Sequence, residues 1–372
     1  MPAAIVGAAE TAYRFPPAGS TLPLLAEAAR SALADAGLRP RDVDGLAVAS
    51  FSLAPDHAID VAWRLGLRLR WLMEDTNGGA SGLNMLQHAL RAVDAGDART
   101  VLLLAGDALD AEAFRKLAEA YNSAAREHLA PIPTGGPNAL FALLTSRHME
   151  MYELERKIYG ELVVAQRRWA ERNTNAVFRE PLSLNEYLAA APVAEPLTRY
   201  DCVPIVSGAD AIVIAEGAGV AVASIGALHN HDDQDGDGLQ TGLAEIAHQL
   251  WSDAQLAPED VDVVSVYDDY PVMVLVQLAD LGLIPNGDIA RFVTDRIAAG
   301  KYPLNTSGGQ LSAGQAGAAG GMHGLVEVVR QLRGEAGARQ VEGARSAVVT
   351  GYGMVLYRYG ACANAAVLTL TP

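Results

Sequence analysis

The chain has little sulfur chemistry to offer. Only Cys202 and Cys362 occur in 372 residues, and no Cys-x-x-Cys is present. Two cysteines cannot build a disulfide framework, and this pattern excludes a zinc site of the usual kind. Such usage suits a reducing compartment. Positive charge is also scarce: 28 Lys and Arg stand against 44 Asp and Glu, a net charge of −16. A nucleic-acid-binding face needs clustered Lys and Arg to neutralise phosphates, so the balance argues against that class. A local basic pair such as Arg167-Arg168 still leaves room for a small anionic ligand. No uninterrupted apolar run reaches the ~18–20 residues of a membrane span. The start, Met1-Pro2-Ala3-Ala4-Ile5-Val6-Gly7, lacks a basic stretch followed by a signal-type apolar core. The expectation is a soluble, cytoplasmic protein.

What is there is globular. Half the residues are hydrophobic and 19% are charged, the balance of an enzyme rather than a disordered chain. The length allows two or more domain-sized units, each with a sizeable core.

The chain also repeats itself. At a constant offset of 218, Asp35, Ala36, Leu38, Pro40, Asp42, Val43, Asp44 and Val48 recur as Asp253, Ala254, Leu256, Pro258, Asp260, Val261, Asp262 and Val266. Each copy reads as a helix end, a Pro-containing turn and a strand, because proline cannot continue the helix and a Val-rich run suits a buried strand. A looser repeat follows. A helical pattern over Gly82 to Ala95 leads to the apolar strand Thr100 to Gly106. A second over Gly321 to Arg333 leads to the strand Ser346 to Gly351. The first strands, Ala3 to Ala8 and Gly219 to Ile225, match in kind. Helices alternating with short apolar strands predict crossover units and buried, mainly parallel sheets in two related halves.

Between the copies, at about 109 to 195, lies a segment rich in helix formers. Its helical stretches are Asp110 to Arg126 and Ser146 to Asn173. Pro131, Pro133 and Gly135-Gly136-Pro137 break it. Further on, His229 to Gly238 is an Asp-rich loop in which Asp233, Asp235, Asp237 and Gly238 imitate the opening of a calcium loop. The twelfth position is Ala244 rather than a bidentate Glu, so the run reads as a solvated linker into a helix from Leu239 to Leu250.

Five blocks carry the chemistry. They are Asn77-Gly78-Gly79-Ala80-Ser81-Gly82, Tyr267-Asp268-Asp269-Tyr270, Asn305-Thr306-Ser307-Gly308-Gly309, Gly314-Gln315-Ala316-Gly317-Ala318-Ala319-Gly320 and Gly351-Tyr352-Gly353. In this order and spacing they resemble the thiolase superfamily, particularly its sterol-carrier-protein-type branch. The resemblance implies an α/β thiolase fold. Two repeated halves with pseudo-twofold symmetry would form a five-layer α-β-α-β-α sandwich. The halves would span 1–217 and 218–372, with the segment at about 109–195 as a helical cap over the substrate mouth.

A working thiolase has a cysteine where this chain has Gly79 and a histidine where it has Gln315. Usually it has a second cysteine, or an equivalent, near Tyr352. Without a side chain at 79, covalent catalysis from that position is impossible. A base serving a nucleophile has no purpose once the nucleophile is gone. The run Asn305 to Gln315 resembles a subgroup of retro-aldolases that act on coenzyme A thioesters of steroid side chains.

That resemblance implies a carbon–carbon lyase. A β-hydroxyacyl thioester would lose its hydroxyl proton and break Cα–Cβ, giving a ketone or aldehyde and a thioester enolate. Tyr302, Tyr352 and Tyr267 are the expected catalytic groups. Gly79, Asn305, Gly308, Gln315 and Gly353 would line the substrate and oxyanion site. Asp268 is expected to hold a turn. Ser81 is read as a helix cap, Cys202 as structural, Cys362 as a small buried hydrophobe, and His323 and His88 as packed or solvated. No metal and no covalently bound cofactor is expected; coenzyme A enters as part of the substrate. Implied partners are a second copy of the chain and a small zinc-ribbon and oligonucleotide-fold protein. Two alternatives stay open: an acyltransferase with another nucleophile such as Ser81, and a non-catalytic acyl-CoA-binding subunit.

Overall fold

The Val-, Leu- and Ala-rich runs become strands that bury both faces. The computed structural model describes residues 2–120, 127, 136–231, 236–356 and 359–370. Its strands are β1 (Ala3–Glu10), β2 (Gly45–Ala49), β3 (Trp71–Glu74), β4 (Thr100–Asp107), β5 (Pro192–Ala194), β6 (Leu197–Thr198), β7 (Gly208–Glu216), β8 (Val220–His229), β9 (Val263–Ser265), β10 (Ser346–Leu356) and β11 (Tyr359–Leu370). Nine form one sheet in the order β3-β2-β4-β7-β1-β8-β11-β10-β9, while β5 and β6 make a small hairpin.

The order contains the repeat. Outward from the middle, one arm runs β1-β7-β4-β2-β3 and the other β8-β11-β10-β9. A parallel bridge from Val264 to Leu304 extends the second arm where β3 closes the first. The arms meet through a single register pair, Ile5 with Val220. Asp44 and Asp262, equivalent in the repeat, do the same work. The Asp44 carboxylate accepts from the amides of Arg99 and Thr100 ahead of β4. That of Asp262 accepts from the amides of Arg345 and Ser346 ahead of β10.

Alternation along each strand separates the layers, since successive side chains point to opposite faces. Leu46, Val48, Leu102 and Leu104 pack with Leu24, Leu25, Ala28 and Leu33 of the outer helix Thr21–Asp35. Their neighbours Ala47, Val101 and Leu103 face inward, onto helices Ser81–Asp94 and Gly320–Arg333. On the far side Ala347 and Val349 face the same two helices. Val348, Ala365 and Val367 face the outer helices Leu243–Ala254 and Pro271–Asp280. Helix, sheet, helix, sheet, helix is the resulting stack. The two central helices cross where glycine meets glycine: a Cβ on Gly82 would stand 2.1 Å from the Gly321 carbonyl oxygen.

One expectation is corrected. The sheet is mixed, with antiparallel ladders in the majority. β2 runs parallel to β3 and β4, and β9 to β10. The pairs β4–β7, β1–β7, β1–β8, β8–β11 and β10–β11 are antiparallel. A strand buried on both faces reads as a continuous apolar run in either direction, so its polarity is invisible in composition.

The segment after β4 is helical, but its boundaries differ from the periodicity. Helices cover Ala111–Ala120, Pro137–Met151, Arg156–Ala170 and Leu184–Ala189. Pro137 opens a helix instead of breaking one, because the first turn needs no donor there. Glu153 takes a left-handed φ of 51° and divides the stretch read as one helix over 146–173. Pro131, Pro133 and Gly135 lie outside the described residues. So do residues 232–235 of the Asp-rich loop. Asp237 accepts from the Leu239 amide and pairs with Arg147 at 3.7 Å. Among the described residues no helix is long and apolar enough to cross a membrane.

Candidate active site

A turn from one arm of the sheet and a strand from the other press together at the heart of the site. The first follows β3. Asp75 accepts from the amide of Asn77 at 2.8 Å and fixes the approach, Gly78 takes a positive φ of 58°, and Gly78–Ala80 form a short 3₁₀ turn into helix Ser81–Asp94. The second is the Gly351–Gly353 stretch of β10. A Cβ on Gly353 would lie 2.2 Å from the carbonyl oxygen of Asn77, and one on Gly351 would lie 2.8 Å from that of Gly79. Only glycine allows main chains this close.

Beside this junction is a cavity of about 360 Å³. Gly78, Gly79, Tyr267, Gln315, Tyr352 and Gly353 line one part of it. Phe51, Phe114, Phe141, Tyr270, Ile205 and Met354 give it an apolar, aromatic wall. Phe141 and Tyr270 stack with ring centroids 4.1 Å apart, and the Tyr270 hydroxyl donates to Asn138 Oδ1 at 2.6 Å. Phe114, Arg115 and Leu117 come from helix Ala111–Ala120, and Asn138 and Phe141 from helix Pro137–Met151. The segment inserted after β4 therefore supplies one wall of the cavity.

Tyr267 is the centre of the arrangement. Its backbone is clamped: its amide donates to Thr350 Oγ1 at 2.9 Å, and its carbonyl accepts from Gln277 Nε2 at 2.7 Å. Its hydroxyl accepts from Gln315 Nε2 at 2.9 Å. The ring fills the space in front of Gly79, where an added Cβ would lie 2.2 Å from Tyr267 Cζ. Tyr352 is 1% exposed and reaches the same cavity.

The acidic pair after Tyr267 divides its duties. Asp268 turns away from the cavity: Oδ1 accepts from the amide of Gln310 at 2.8 Å, and Oδ2 from Gln166 Nε2 at 2.6 Å and the amide of Leu311 at 3.3 Å. It holds the turn after Gly308, as expected. Burial lifts its pKa to about 6 against these stabilising donors. Asp269 faces the cavity. Burial first, and the charge of Asp268 second, push its carboxyl up to about 8.

Of the residues expected to line one pocket, Gly79, Tyr267, Gln315, Tyr352 and Gly353 do so. Tyr302, Asn305 and Gly308 do not line it. The Tyr302 ring packs edge-on against Phe292 at 4.9 Å. Its hydroxyl is buried without a hydrogen-bond partner among the described residues, and burial raises its pKa well above the usual phenol value. Asn305 is a framework residue with φ +47° whose Oδ1 accepts from the Val266 amide at 2.9 Å. Gly308, at φ +96°, lets the loop pass Ala170, whose Cβ an added methyl would meet at 2.4 Å. The family resemblance placed these three at the site; the bridge from Val264 to Leu304 instead ties their loop to β9.

Other candidates resolve by burial. Ser81 does not cap its helix: it is fully buried, its Oγ has no hydrogen-bond partner among the described residues, and it lies outside the cavity lining. Cys202 lines the cavity, but burial pushes its thiol up to about 12, which leaves no thiolate near neutrality. Cys362 is buried and raised to about 11. His323 is packed, with Nε2 2.7 Å from Ser307 Oγ, and His88 is exposed. Asp269 is the functional candidate that motif reading passed over. Its one signal was a second carboxylate in the Tyr-Asp-Asp-Tyr block.

Comparison with known proteins follows the geometry. The thiolase C-terminal domain-like family matches residues 224–363. A 17-hydroxy-3-oxo-4-pregnene-20-carboxyl-CoA lyase of Mycobacterium tuberculosis is 33% identical, over 94% of this chain and 95% of that one. A steroid side-chain-cleaving aldolase of Thermomonospora curvata is 28% identical over 89% of this chain and 90% of its own. Among solved structures, an Ltp2-ChsH2(DUF35) aldolase superposes with a TM-score of 0.84 and 26% identity, covering 99% of this chain and 98% of that one.

Proposed function

We propose, from the premise that this chain belongs to the thiolase superfamily and to its sterol-carrier-protein-type branch of CoA-thioester aldolases, that its cavity performs retro-aldol cleavage of a β-hydroxyacyl thioester. One observation carries the reading. The Tyr267 ring occupies the volume that a nucleophilic side chain at position 79 would need. Chemistry at this junction is therefore non-covalent, and a retro-aldol step needs no acyl-enzyme.

The step needs an oxyanion site, a base and an acid. The glycine turn at 78–79, the Gly353 main chain and the Tyr267 phenol converge on one part of the cavity. With Gln315 donating to its oxygen, Tyr267 meets the thioester carbonyl as a hydrogen-bond donor. Preorganised donors of this kind contribute about 3–4 kcal/mol each to a developing enolate. Tyr352, on the same wall, is the group we assign to return a proton to Cα. Tyr302 has no part in the step. The aromatic wall of Phe51, Phe114, Phe141 and Tyr270 suits an apolar acyl group.

We read the chain as two thiolase halves, 1–217 and 218–372, supported by the matched strand orders on either side of the Ile5–Val220 pair. We also read it as a homodimer working with a small partner. The similarity to a solved assembly titled an Ltp2-ChsH2(DUF35) aldolase supports the partner. Acyl transfer from Ser81 has no support, because that hydroxyl lies outside the cavity lining.

The test is direct. Purified protein is incubated with a β-hydroxyacyl-CoA and the products are separated by mass. The expected result is a shorter acyl-CoA plus a ketone or aldehyde, with the protein mass unchanged. An acylated protein, or intact substrate with the partner present, would overturn the reading.

A further inference from the structure

We infer that Asp269 is a catalytic residue of this cavity, the carboxylate that takes the β-hydroxyl proton as the carbon–carbon bond breaks. The inference rests on the aldolase reading above and names a base which that reading lacks.

Geometry comes first. Asp269 lines the same cavity as Tyr267, Tyr352, Gln315 and the glycine turn. It is only 9% exposed, so its carboxyl is largely withdrawn from solvent. Its neighbour Asp268 points the other way, into the amides of Gln310 and Leu311 and the side chain of Gln166. Asp269 has no such anchor. Its side chain accepts from the backbone amide of Tyr270 at 3.0 Å, and no described side chain donates to it. A buried carboxyl is costly unless it is paired. One that faces a cavity with only backbone donors and no cation bound to it keeps acceptor capacity that a group entering the cavity can use.

The surroundings also select it as the base. The charged and titratable groups sharing its cavity are Arg115, Cys202, Tyr267, Tyr270 and Tyr352, with Asp268 behind it. The Cys202 thiol is held near 12, Tyr270 is raised by burial and donates to Asn138, and Arg115 is a cation. A free phenol titrates near 10. The Asp269 carboxyl, at about 8, is matched to a working pH near neutrality, where a general base is most effective.

The step balances. Ionised Asp269 accepts the hydroxyl proton. The O–H bond breaks, the carbonyl forms, and Cα–Cβ breaks with its electron pair passing into the thioester enolate. Tyr352 protonates Cα. Asp269 then releases its proton to water and Tyr352 regains one, so no oxidant, reductant or water is consumed.

The experiment uses the full-length protein with its partner, and measures kcat and KM against pH for wild type, Asp269→Asn and Asp269→Glu on a β-hydroxyacyl-CoA. Wild-type kcat/KM should rise through a limb near pH 8. Asp269→Asn should lower kcat on the order of 10²–10⁴-fold, the usual size of general-base catalysis. It should also abolish the limb and leave KM nearly unchanged. Asp269→Glu should recover part of the rate with its limb displaced. An Asn variant that keeps the limb overturns the inference while leaving the aldolase reading intact. A wild type that cleaves nothing overturns both. If Asp269→Asn fails to fold, the Glu variant decides: a displaced limb supports the inference and an unmoved one sinks it.

Discussion

Tyr267 stands where a side chain on residue 79 would project, with its Cζ 2.2 Å from the Cβ that Gly79 lacks. The two positions are far apart in the chain and belong to opposite arms of the sheet. They form one choice. Either a side chain sits on the turn, or the Tyr267 ring fills that volume from across the junction. Gln315 belongs to the same arrangement, because its side chain donates to the Tyr267 hydroxyl at 2.9 Å.

Restoring a side chain at the turn should therefore harm the protein. Gly79→Ala forces the Tyr267 ring to move and should cost about 1–3 kcal/mol, as overpacking of a filled core does. In the double variant Gly79→Ala with Tyr267→Ala, part of that cost should vanish, because the two residues compete for one volume, while the clash with the Tyr352 carbonyl oxygen at 2.3 Å remains. Urea unfolding of the four proteins gives the coupling; strictly additive losses would contradict the steric account.

Gln315→Ala should reduce kcat about 2- to 10-fold, the range expected when one neutral hydrogen bond is lost. The melting temperature should change little by comparison. A rate equal to wild type would show that the Gln315–Tyr267 bond is irrelevant to turnover.

Tyr302→Phe should behave in the opposite way. Its hydroxyl is buried without a partner among the described residues and lies outside the cavity lining. Removing an unsatisfied polar atom is neutral or stabilising, by about 1–3 kcal/mol at most. Activity should stay within a few-fold of wild type. A large loss of kcat would return Tyr302 to the mechanism.

Stability should carry the mark of Asp269. Its carboxyl is raised from 3.8 to about 8 in the folded protein, so the native state holds this proton more tightly than the unfolded chain. The contribution is full below about pH 4 and is lost as pH rises through about 8. Asp269→Asn cannot ionise, and should flatten that part of the decline. Melting curves recorded between pH 4 and 9 for both proteins test the sign. A variant as pH-sensitive as wild type over that window would show that the carboxyl is not held as described.

Thiol chemistry should be silent. The Cys202 thiol, held near 12 by burial and the charge of Asp201, should react slowly with iodoacetamide at pH 8. Cys202→Ser should keep near-wild-type kcat. Rapid alkylation with loss of activity would reveal a thiolate that this environment does not favour.

Much of the architecture was legible before any coordinates. The offset of 218 between Asp44 and Asp262 marks two positions that make the same pair of backbone hydrogen bonds, because a repeated turn needs a repeated acceptor. The glycine blocks announced close main-chain contact, which Gly82, Gly351 and Gly353 provide. Strand direction was not legible, since a doubly buried strand carries no mark of its polarity. Helix ends in the inserted segment were missed too, because Glu153 reverses the chain with a backbone angle that its residue type does not advertise.

By itself the order of residues determined that no thiol or imidazole stands at the glycine turn or at position 315, and that two related halves build the molecule. Those facts are local, written in residue type and spacing. Only the tertiary structure decided which phenols share the cavity. Tyr267 and Tyr352 enter it, while Tyr302 turns into the core beside Phe292. It also separated Asp268 from Asp269, adjacent carboxylates that the backbone sends in different directions, one to main-chain amides and one to the cavity. Which way a side chain points is set by packing across the whole stack of layers, and no stretch of sequence contains that packing.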